Sequence, residues 1–154
     1  MAGRREQIRM SGEEALAFLQ AGRTVIVASN GHDGFPHLMP LWYLVRDGRL
    51  WGWTYGKSQK ARNLARDPRA TLQVEAGEAY DELRGVMLRC EARLHHDPSV
   101  VEAIGLDLSD RYAPGSREAA RAAIAAQAHK RVGLEFVETG RRVTWDHRKL
   151  AGVY

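Results

Sequence analysis

The chain has 154 residues, of which 44% are hydrophobic and 27% are charged, so its composition predicts a single folded domain over residues 1–154. Intrinsic disorder, a collagen-like repeat and a disulfide scaffold are excluded, because the sequence is rich in apolar residues and Cys90 is its only cysteine. No apolar run approaches the roughly 20 residues that span a bilayer, and the polar start lacks a signal core. We therefore expect a cytoplasmic protein with no membrane partner.

The net charge of +4 comes from 23 basic residues, of which only four are lysines, namely Lys57, Lys60, Lys130 and Lys149. The preference for arginine accompanies a high alanine content, which GC-rich codons explain. A charge of this size favours an anionic partner only weakly, and several arginines stand next to acids, as in Arg46-Asp47 and Arg66-Asp67. A nucleic-acid partner is therefore not predicted.

The first half of the chain alternates strands with two short helices. The predicted elements are a helix from Ser11 to Gln20, strands over Arg23–Ser29, Pro36–Arg46 and Arg49–Thr54, a helix from Ser58 to Arg66, and a strand over Ala70–Glu75. The β-branched run of the first strand predicts burial on both faces. Pro40 cannot donate to a ladder and indicates a bulge or a sheet edge. Asp47-Gly48 predicts a two-residue hairpin turn.

The second half contains the longest strand and two further helices. The predicted elements are a strand over Arg84–His95, helices from Asp97 to Leu108 and from Ser116 to Gln127, and strands over Arg131–Val137 and Arg141–Trp145 that turn at Glu138-Thr139-Gly140. Seven strands joined mostly by hairpins, with a few inserted helices, predict a mainly β fold of the α+β class. Its architecture is expected to be a small antiparallel barrel with peripheral helices.

The segment Trp51–Leu64 carries the clearest functional signal. Ser58 is a predicted N-cap, so the free amides and the positive dipole end of the following helix form a natural phosphate site. Lys57 and Lys60 flank this helix start, which favours an anion held by compact point charges. The spacing alone is equally compatible with ordinary surface charge at a helix start.

Other catalytic signatures are missing from the sequence. His95 and His96 are adjacent and would point to opposite faces of a strand, so no metal site is predicted. Cys90 lies among apolar neighbours and is assigned to the core. We assign no catalytic residue, and any chemistry is expected to belong to a bound cofactor. Trp42 and Trp53 could form a flat wall beside the phosphate site, whereas Trp51 is expected in the core or an interface.

Several segments together resemble the pyridoxamine 5'-phosphate oxidase-like split β-barrel family. They are Gly34–Tyr43, the Asp47-Gly48 hairpin, Thr54–Leu64 with its Lys-x-x-Lys-x-Arg-Asn-Leu pattern, Arg66-Asp67-Pro68-Arg69, and Arg84–Arg89. The resemblance extends over about residues 11–150. The ending Val143–Leu150 is similar to members of the branch that uses the deazaflavin coenzyme F420 in place of FMN. The resemblance implies a homodimeric split barrel with cofactors at the subunit interface.

The resemblance also implies which residues contact the cofactor. His37, Leu38, Met39, Pro40, Leu41 and Trp42 would contact the flavin or deazaflavin ring, Trp53 and Thr54 the ribityl chain, and Lys57, Ser58, Gln59 and Lys60 the phosphate. Arg84, Trp145 and Arg148 would reach the cofactor of the partner subunit.

The sequence departs from the oxidases of this family at three places. Gln59 and Gly85 stand where those oxidases have arginine and glutamine, and the arginine-rich tail that grips pyridoxal phosphate is not reproduced. A true pyridoxamine phosphate oxidase is therefore not predicted. The resemblance implies an F420-dependent oxidoreductase that transfers a hydride between the deazaflavin and a small unsaturated or aromatic substrate. The alternatives are an FMN-binding oxidoreductase and a non-catalytic flavin- or haem-binding protein.

Overall fold

The computed structural model describes residues 3–150, and eight strands are assigned within that range. They are β1 (Val25–Asn30), β2 (Pro36–Leu41), β3 (Leu44–Arg46), β4 (Arg49–Tyr55), β5 (Arg69–Ala76), β6 (Arg84–His95), β7 (Arg131–Glu138) and β8 (Val143–Asp146). The helices are α1 (Arg4–Gln7), α2 (Gly12–Ala21), α3 (Gln59–Arg66), α4 (Pro98–Tyr112) and α5 (Arg117–Ala128), with short 3₁₀ helices at Tyr80–Glu82 and His147–Leu150.

All eight strands belong to one antiparallel sheet. Seven of them follow the order β2-β1-β5-β6-β7-β4-β3, and β8 pairs with β6 beyond the end of β7. Consecutive strands β2 and β3 thus lie at opposite ends of this order, so the sheet curls until its ends approach each other. Gly52 of β4 permits the closure, because a Cβ there would meet the side chain of Leu41. The predicted α+β split-barrel fold is confirmed.

Local sequence signals explain several elements. Ser11 and Glu14 form the capping box of α2, in which Ser11 Oγ accepts from the Glu14 amide at 3.1 Å and Glu14 Oε2 accepts from the Ser11 amide at 2.7 Å. Asp47 and Gly48 both have positive φ, 50° and 74°, as the two-residue turn between β3 and β4 requires. The predicted capping box and hairpin turn are therefore confirmed.

Other details of the prediction are wrong. The strand expected over Pro36–Arg46 is divided, because it breaks at Trp42-Tyr43. The expected edge position of Pro40 is confirmed, since Pro40 pairs with Ile26 in the terminal strand β2. β1 buries one face fully, while Ile26 and Ala28 on the other face are half-buried. The break arises from tertiary contacts, since the Tyr43 amide donates to the Tyr112 hydroxyl and the Tyr43 hydroxyl donates to the Leu19 carbonyl.

The C-terminal half also differs in two respects. Strands β7 and β8 do not form the hairpin that a turn at Glu138–Gly140 would give, because both pair with β6. Helix α4 continues to Tyr112, four residues beyond the predicted end. α1 is an element that the hydrophobic pattern did not predict.

The core consists of two clusters. The larger cluster fills the curled sheet and includes the fully buried Tyr43, Leu72 and Leu134. The smaller one lies under α4, where Ile104 and Leu108 meet Trp51 and Trp53 on the outer face of β4. Among residues 3–150, no helix is long and apolar enough to cross a membrane.

Candidate functional site

The start of α3 has the geometry of an anion site. Ser58 caps the helix, since its Oγ accepts from the Ala61 amide at 3.1 Å and is itself approached by Thr54 Oγ1 at 3.2 Å. The first-turn amides of Gln59 and Lys60 precede the first intrahelical bond and therefore have no acceptor within the helix. They are free to donate to an anion at the positive end of the helix.

The two lysines at this helix start lie in different environments. Lys57 is exposed, whereas Lys60 is only 6% exposed. Within residues 3–150, no carboxylate and no hydrogen-bond acceptor is paired with the Lys60 ammonium. Burial lowers the pKa of Lys60 below its ordinary value of 10.5. A partly desolvated cation without a counter-ion is costly, so Lys60 is suited to receive a negatively charged ligand.

A second unsatisfied polar group lies near α3. His37 Nδ1, on β2, is buried and has no hydrogen-bond partner in the part of the chain that the structure describes. His37 and two α3 residues, Gln59 and Asn63, line a shallow cleft of about 270 Å³. Asn63 is fully buried and fixes α3 against β1 by donating to Ser29 Oγ at 3.1 Å. The structure thus brings the predicted ring strand and the predicted phosphate helix to one cleft.

Strand β2 is unusually exposed for a strand of this composition. Leu38 is 57% exposed and Met39 47%, and Pro40 is also exposed. Leu41 is half-buried against Gly52, and Trp42 lies just beyond the end of the strand. The free edge of β2 leaves both apolar side chains and backbone groups available to a ligand or to a second subunit.

The residues assigned to the ribityl chain lie on opposite faces of β4. Thr54 is buried and faces Ser58, while Trp53 packs against Gly105 of α4 and under the guanidinium of Arg131, whose Cζ is 4.3 Å from the ring centroid. Of these two residues, Thr54 therefore lies at the α3 start. Trp53 borders a different region on the outer face of the sheet.

That region opens into a basic cleft of about 680 Å³. We define the basic cleft by its lining residues, Tyr55, Gly56, Lys57, His96, His129, Lys130, Arg131 and Val132. The lining contains three permanent cations and two imidazoles but no carboxylate. Within residues 3–150 none of the three cations forms an ion pair, and Arg131 donates only to the neutral Gln127 side chain, at 2.9 and 3.2 Å. The basic cleft therefore suits a ligand with several negative charges.

Most of the basic cleft was missed by reasoning from sequence. Lys57 is shared with the α3 start, but His96, His129, Lys130 and Arg131 come from the ends of β6, α5 and β7. The adjacent pair Lys130-Arg131, which includes another of the four lysines, was the only local signal.

The remaining predicted residues lie away from α3. Arg84 stands over the ring of Phe18, with Cζ 6.0 Å from the centroid, and Arg148 is 55% exposed and bonded to the buried Asp146 at 2.7 Å. Trp145 pairs with Gly85 across β8 and β6, and its indole occupies the space where a Cβ of residue 85 would lie. The glycine at position 85 is thus explained by the tryptophan that covers it.

The described part of the chain, residues 3–150, contains no metal or nucleophile centre that would compete with this site. Within residues 3–150, no group of three His, Cys, Asp or Glu side chains could hold a metal ion. Cys90 is buried, and burial raises the pKa of its thiol to about 12. A thiol in this environment stays protonated at neutral pH and is a poor nucleophile.

Comparisons with known proteins agree with this architecture. The family model described as pyridoxamine 5'-phosphate oxidase matches residues 11–136. The conserved hypothetical protein Rv2991 from Mycobacterium tuberculosis has a similar structure, with 38% identity, a TM-score of 0.89, and coverage of 99% of this chain and 95% of that one. None of the curated proteins matches the sequence.

Two more distant solved structures share the fold. One is described as an F420 reductase, with 21% identity, a TM-score of 0.64, and coverage of 86% and 97% of the two chains. The other is HutZ, a heme storage protein from Vibrio cholerae, with 13% identity, a TM-score of 0.67, and coverage of 86% and 94%. The same curled sheet therefore occurs in proteins with different described roles. With the family match over residues 11–136, the chain belongs to the pyridoxamine 5'-phosphate oxidase family.

Proposed function

We propose that this protein is an oxidoreductase that binds coenzyme F420 with its phosphate at the start of α3 and its ring along β2. The observation that carries the proposal is Lys60, a lysine in the first turn of a capped helix that is only 6% exposed and has no acidic partner within residues 3–150. His37 supports the ring position, because it lines the cleft beside α3 and its Nδ1 is a polar atom that the fold itself leaves without a partner. The residues present thus fit a phosphorylated flavin-type cofactor.

The chain's own residues have three tasks in this proposal. The α3 amides, Ser58 and Lys60 hold the phosphate, and Thr54 supports the cap. The exposed apolar edge of β2 covers one face of the ring and excludes water from it. The cofactor supplies the hydride chemistry, so no protein acid or base is required for the transfer itself.

The basic cleft favours F420 over FMN. FMN ends at its phosphate, whereas F420 continues from the phosphate into a lactyl-oligoglutamate tail that carries several carboxylates. Lys57 belongs both to the α3 start and to the basic cleft, so a tail that leaves the phosphate site can enter the cleft directly. Lys130 and Arg131 would then pair with tail carboxylates.

We further propose that the protein is a cytoplasmic homodimer in which each chain forms a single domain. Arg84, Trp145 and Arg148 of each subunit would then contact the cofactor of the partner subunit. The exposed apolar side chains of β2 support an interface at this edge. The substrate is proposed to be a small unsaturated or aromatic molecule.

Cofactor choice is tested by equilibrium titration of the purified protein with F420, FMN and the phosphate-free deazaflavin core of F420, followed by chromophore fluorescence. The wild type is expected to bind F420 most tightly. The double variant Lys130→Ala/Arg131→Ala is expected to weaken F420 binding roughly tenfold while leaving FMN and the core unchanged, because only F420 carries the tail.

Arg62→Ala serves as the matched control, since it removes one exposed positive charge from α3 itself. If the protein is yellow as isolated and binds FMN more tightly than F420, the cofactor is FMN and the F420 assignment is wrong. If neither cofactor binds, both oxidoreductase assignments fail and a non-catalytic role is left.

A further inference from the structure

The contact between Trp42 and Tyr112 links the β2–β3 connection to the last residue of α4. The two rings are stacked, with centroids 4.2 Å apart and an interplanar angle of 6°. Trp42 nevertheless remains 58% exposed. One face of the indole is thus covered by Tyr112, and the opposite face is left open by residues 3–150.

Tyr112 is fixed by contacts to both its hydroxyl group and its aromatic ring. Its hydroxyl accepts from the Tyr43 amide at 3.0 Å and donates to the Arg23 carbonyl at 2.5 Å. The guanidinium of Arg23 lies 5.4 Å from the ring centroid, and that of Arg111 lies 5.6 Å from it. These contacts fix the ring from three segments of the chain, so Trp42 rests on a base that cannot rotate freely.

Arg111 and Tyr43, which contact Tyr112, are themselves fixed by hydrogen bonds to neighbouring segments. Arg111 donates to the carbonyls of Gln20 at 2.9 Å and Gly22 at 2.5 Å, and its guanidinium covers the buried ring of Tyr43 at 4.7 Å. The Tyr43 hydroxyl donates to the Leu19 carbonyl at 2.5 Å. The end of α2, the end of α4 and the β2–β3 connection are thereby joined in one structure that presents a single aromatic face outward.

We infer that Tyr112 is a positioning residue that holds the open face of Trp42 as a stacking platform for the planar ring of the cofactor. The inference rests on the proposed function, since it takes the ring to lie along β2. Exposing a large indole face costs free energy in the absence of a ligand, and a rigid aromatic base gains most when a second planar ring completes the stack. The ligand class is a planar conjugated heterocycle of flavin size.

The inference is tested by measuring the dissociation constants of F420 and of its phosphate-free deazaflavin core for Tyr112→Leu, Tyr112→Phe, Trp42→Leu and Lys60→Ala. Tyr112→Leu and Trp42→Leu are expected to weaken both ligands by a similar factor of roughly five, because both ligands carry the ring. Tyr112→Phe keeps the stacked ring and is expected to stay within roughly twofold of wild type. Quenching of tryptophan emission by the core should be reduced in Trp42→Leu.

The outcomes separate this inference from the proposed function. Lys60→Ala should weaken F420 but not the core, which isolates the phosphate site from the ring site. If Tyr112→Leu lowers only the thermal stability and leaves both constants unchanged, Tyr112 is structural and the inference fails, although F420 binding stands. If Trp42→Leu leaves both dissociation constants unchanged, Trp42 does not stack on the ring and the platform is overturned. Trp42 is exposed, so its variant is expected to fold even if Tyr112→Leu does not.

Discussion

At the scale of single residues, Lys60 lies in an unusual environment for a lysine. A lysine ammonium is normally placed in water or beside a carboxylate, yet Lys60 is 6% exposed and no acid is paired with it within residues 3–150. Natural proteins keep such uncompensated charges mainly at functional sites. In the proposed function, the phosphate of the cofactor would offset the cost of desolvating this charge.

Replacing Lys60 with methionine is therefore expected to stabilise the ligand-free protein by about 1–3 kcal/mol at neutral pH. The folded-state pKa of Lys60 lies below its ordinary value of 10.5, so the unfolded chain binds more protons between those two values. The wild type should thus regain stability relative to Lys60→Met as pH rises towards 10.5. Urea unfolding of both proteins across this range measures the effect, and a less stable Lys60→Met at neutral pH would contradict it.

The sequence predicted the Ser58 cap and the pair of nearby lysines, because both depend on local spacing. It did not predict that Lys60 is buried while Lys57 is exposed. That difference arises from the docking of α3 on the curled sheet, where Asn63 bonds to Ser29 of β1. Residue identities were therefore predictable, but their environments depended on tertiary structure.

At the scale of elements, a charge cluster ties strands β4, β6 and β7 together. Glu135 of β7 is buried and accepts from Arg49 of β4 at 2.5 Å and contacts His95 of β6 at 2.9 Å. Burial alone would raise the pKa of Glu135, but the bonds to His95 and Arg49 outweigh it and hold the pKa below its ordinary value of 4.5. The carboxylate form is thus the form that supports the fold.

Glu135→Gln is expected to lower the free energy of unfolding by about 1–3 kcal/mol at pH 7. A depressed carboxylate pKa contributes stability above 4.5 that is lost as pH falls through the folded-state value, so the difference between wild type and variant should shrink in acid. Denaturant unfolding at neutral and acidic pH measures both values. Glu91→Gln, at an exposed position of β6, is the control and should have little effect. An equal loss in both variants would count against the cluster.

Element boundaries were predicted where the signal is local and missed where it is not. β6 was predicted over Arg84–His95 and occupies those residues, because its alternation is long and regular. The break after Leu41 was missed, since it depends on distant partners: Tyr112 bonds to the Tyr43 amide, and Tyr43 reaches the Leu19 carbonyl. No local pattern in the sequence around Trp42 predicts these contacts of Tyr43 with Tyr112 and Leu19.

At the scale of the whole molecule, the edge of the curled sheet formed by β2 exposes several large apolar side chains. Phe35, Leu38, Met39 and Trp42 are each between 47% and 74% exposed and follow one another along β2 and its flanks. A contiguous apolar edge of this kind is typical of an interaction surface. The basic cleft also belongs to this scale, because segments that are distant in sequence assemble it, and sequence patterns could not predict it.

If β2 forms the subunit interface, Leu38→Asp is expected to convert the dimer into monomers, because a carboxylate on the interface loses water without gaining a partner. Sedimentation velocity or light scattering measures the change. Leu16→Asp, which alters an apolar residue of α2 that is 38% exposed, should leave the dimer intact. A wild type that is monomeric at high concentration would refute the interface.

The central claim is that Lys60 at the start of α3 anchors the phosphate of F420, and calorimetric titration of F420 into wild type, Lys60→Ala and Arg62→Ala tests it most directly. We expect one F420 per chain for the wild type, an affinity at least roughly tenfold weaker for Lys60→Ala, and little change for the exposed Arg62→Ala. An unchanged affinity in Lys60→Ala, or an equal loss in both variants, would contradict the account.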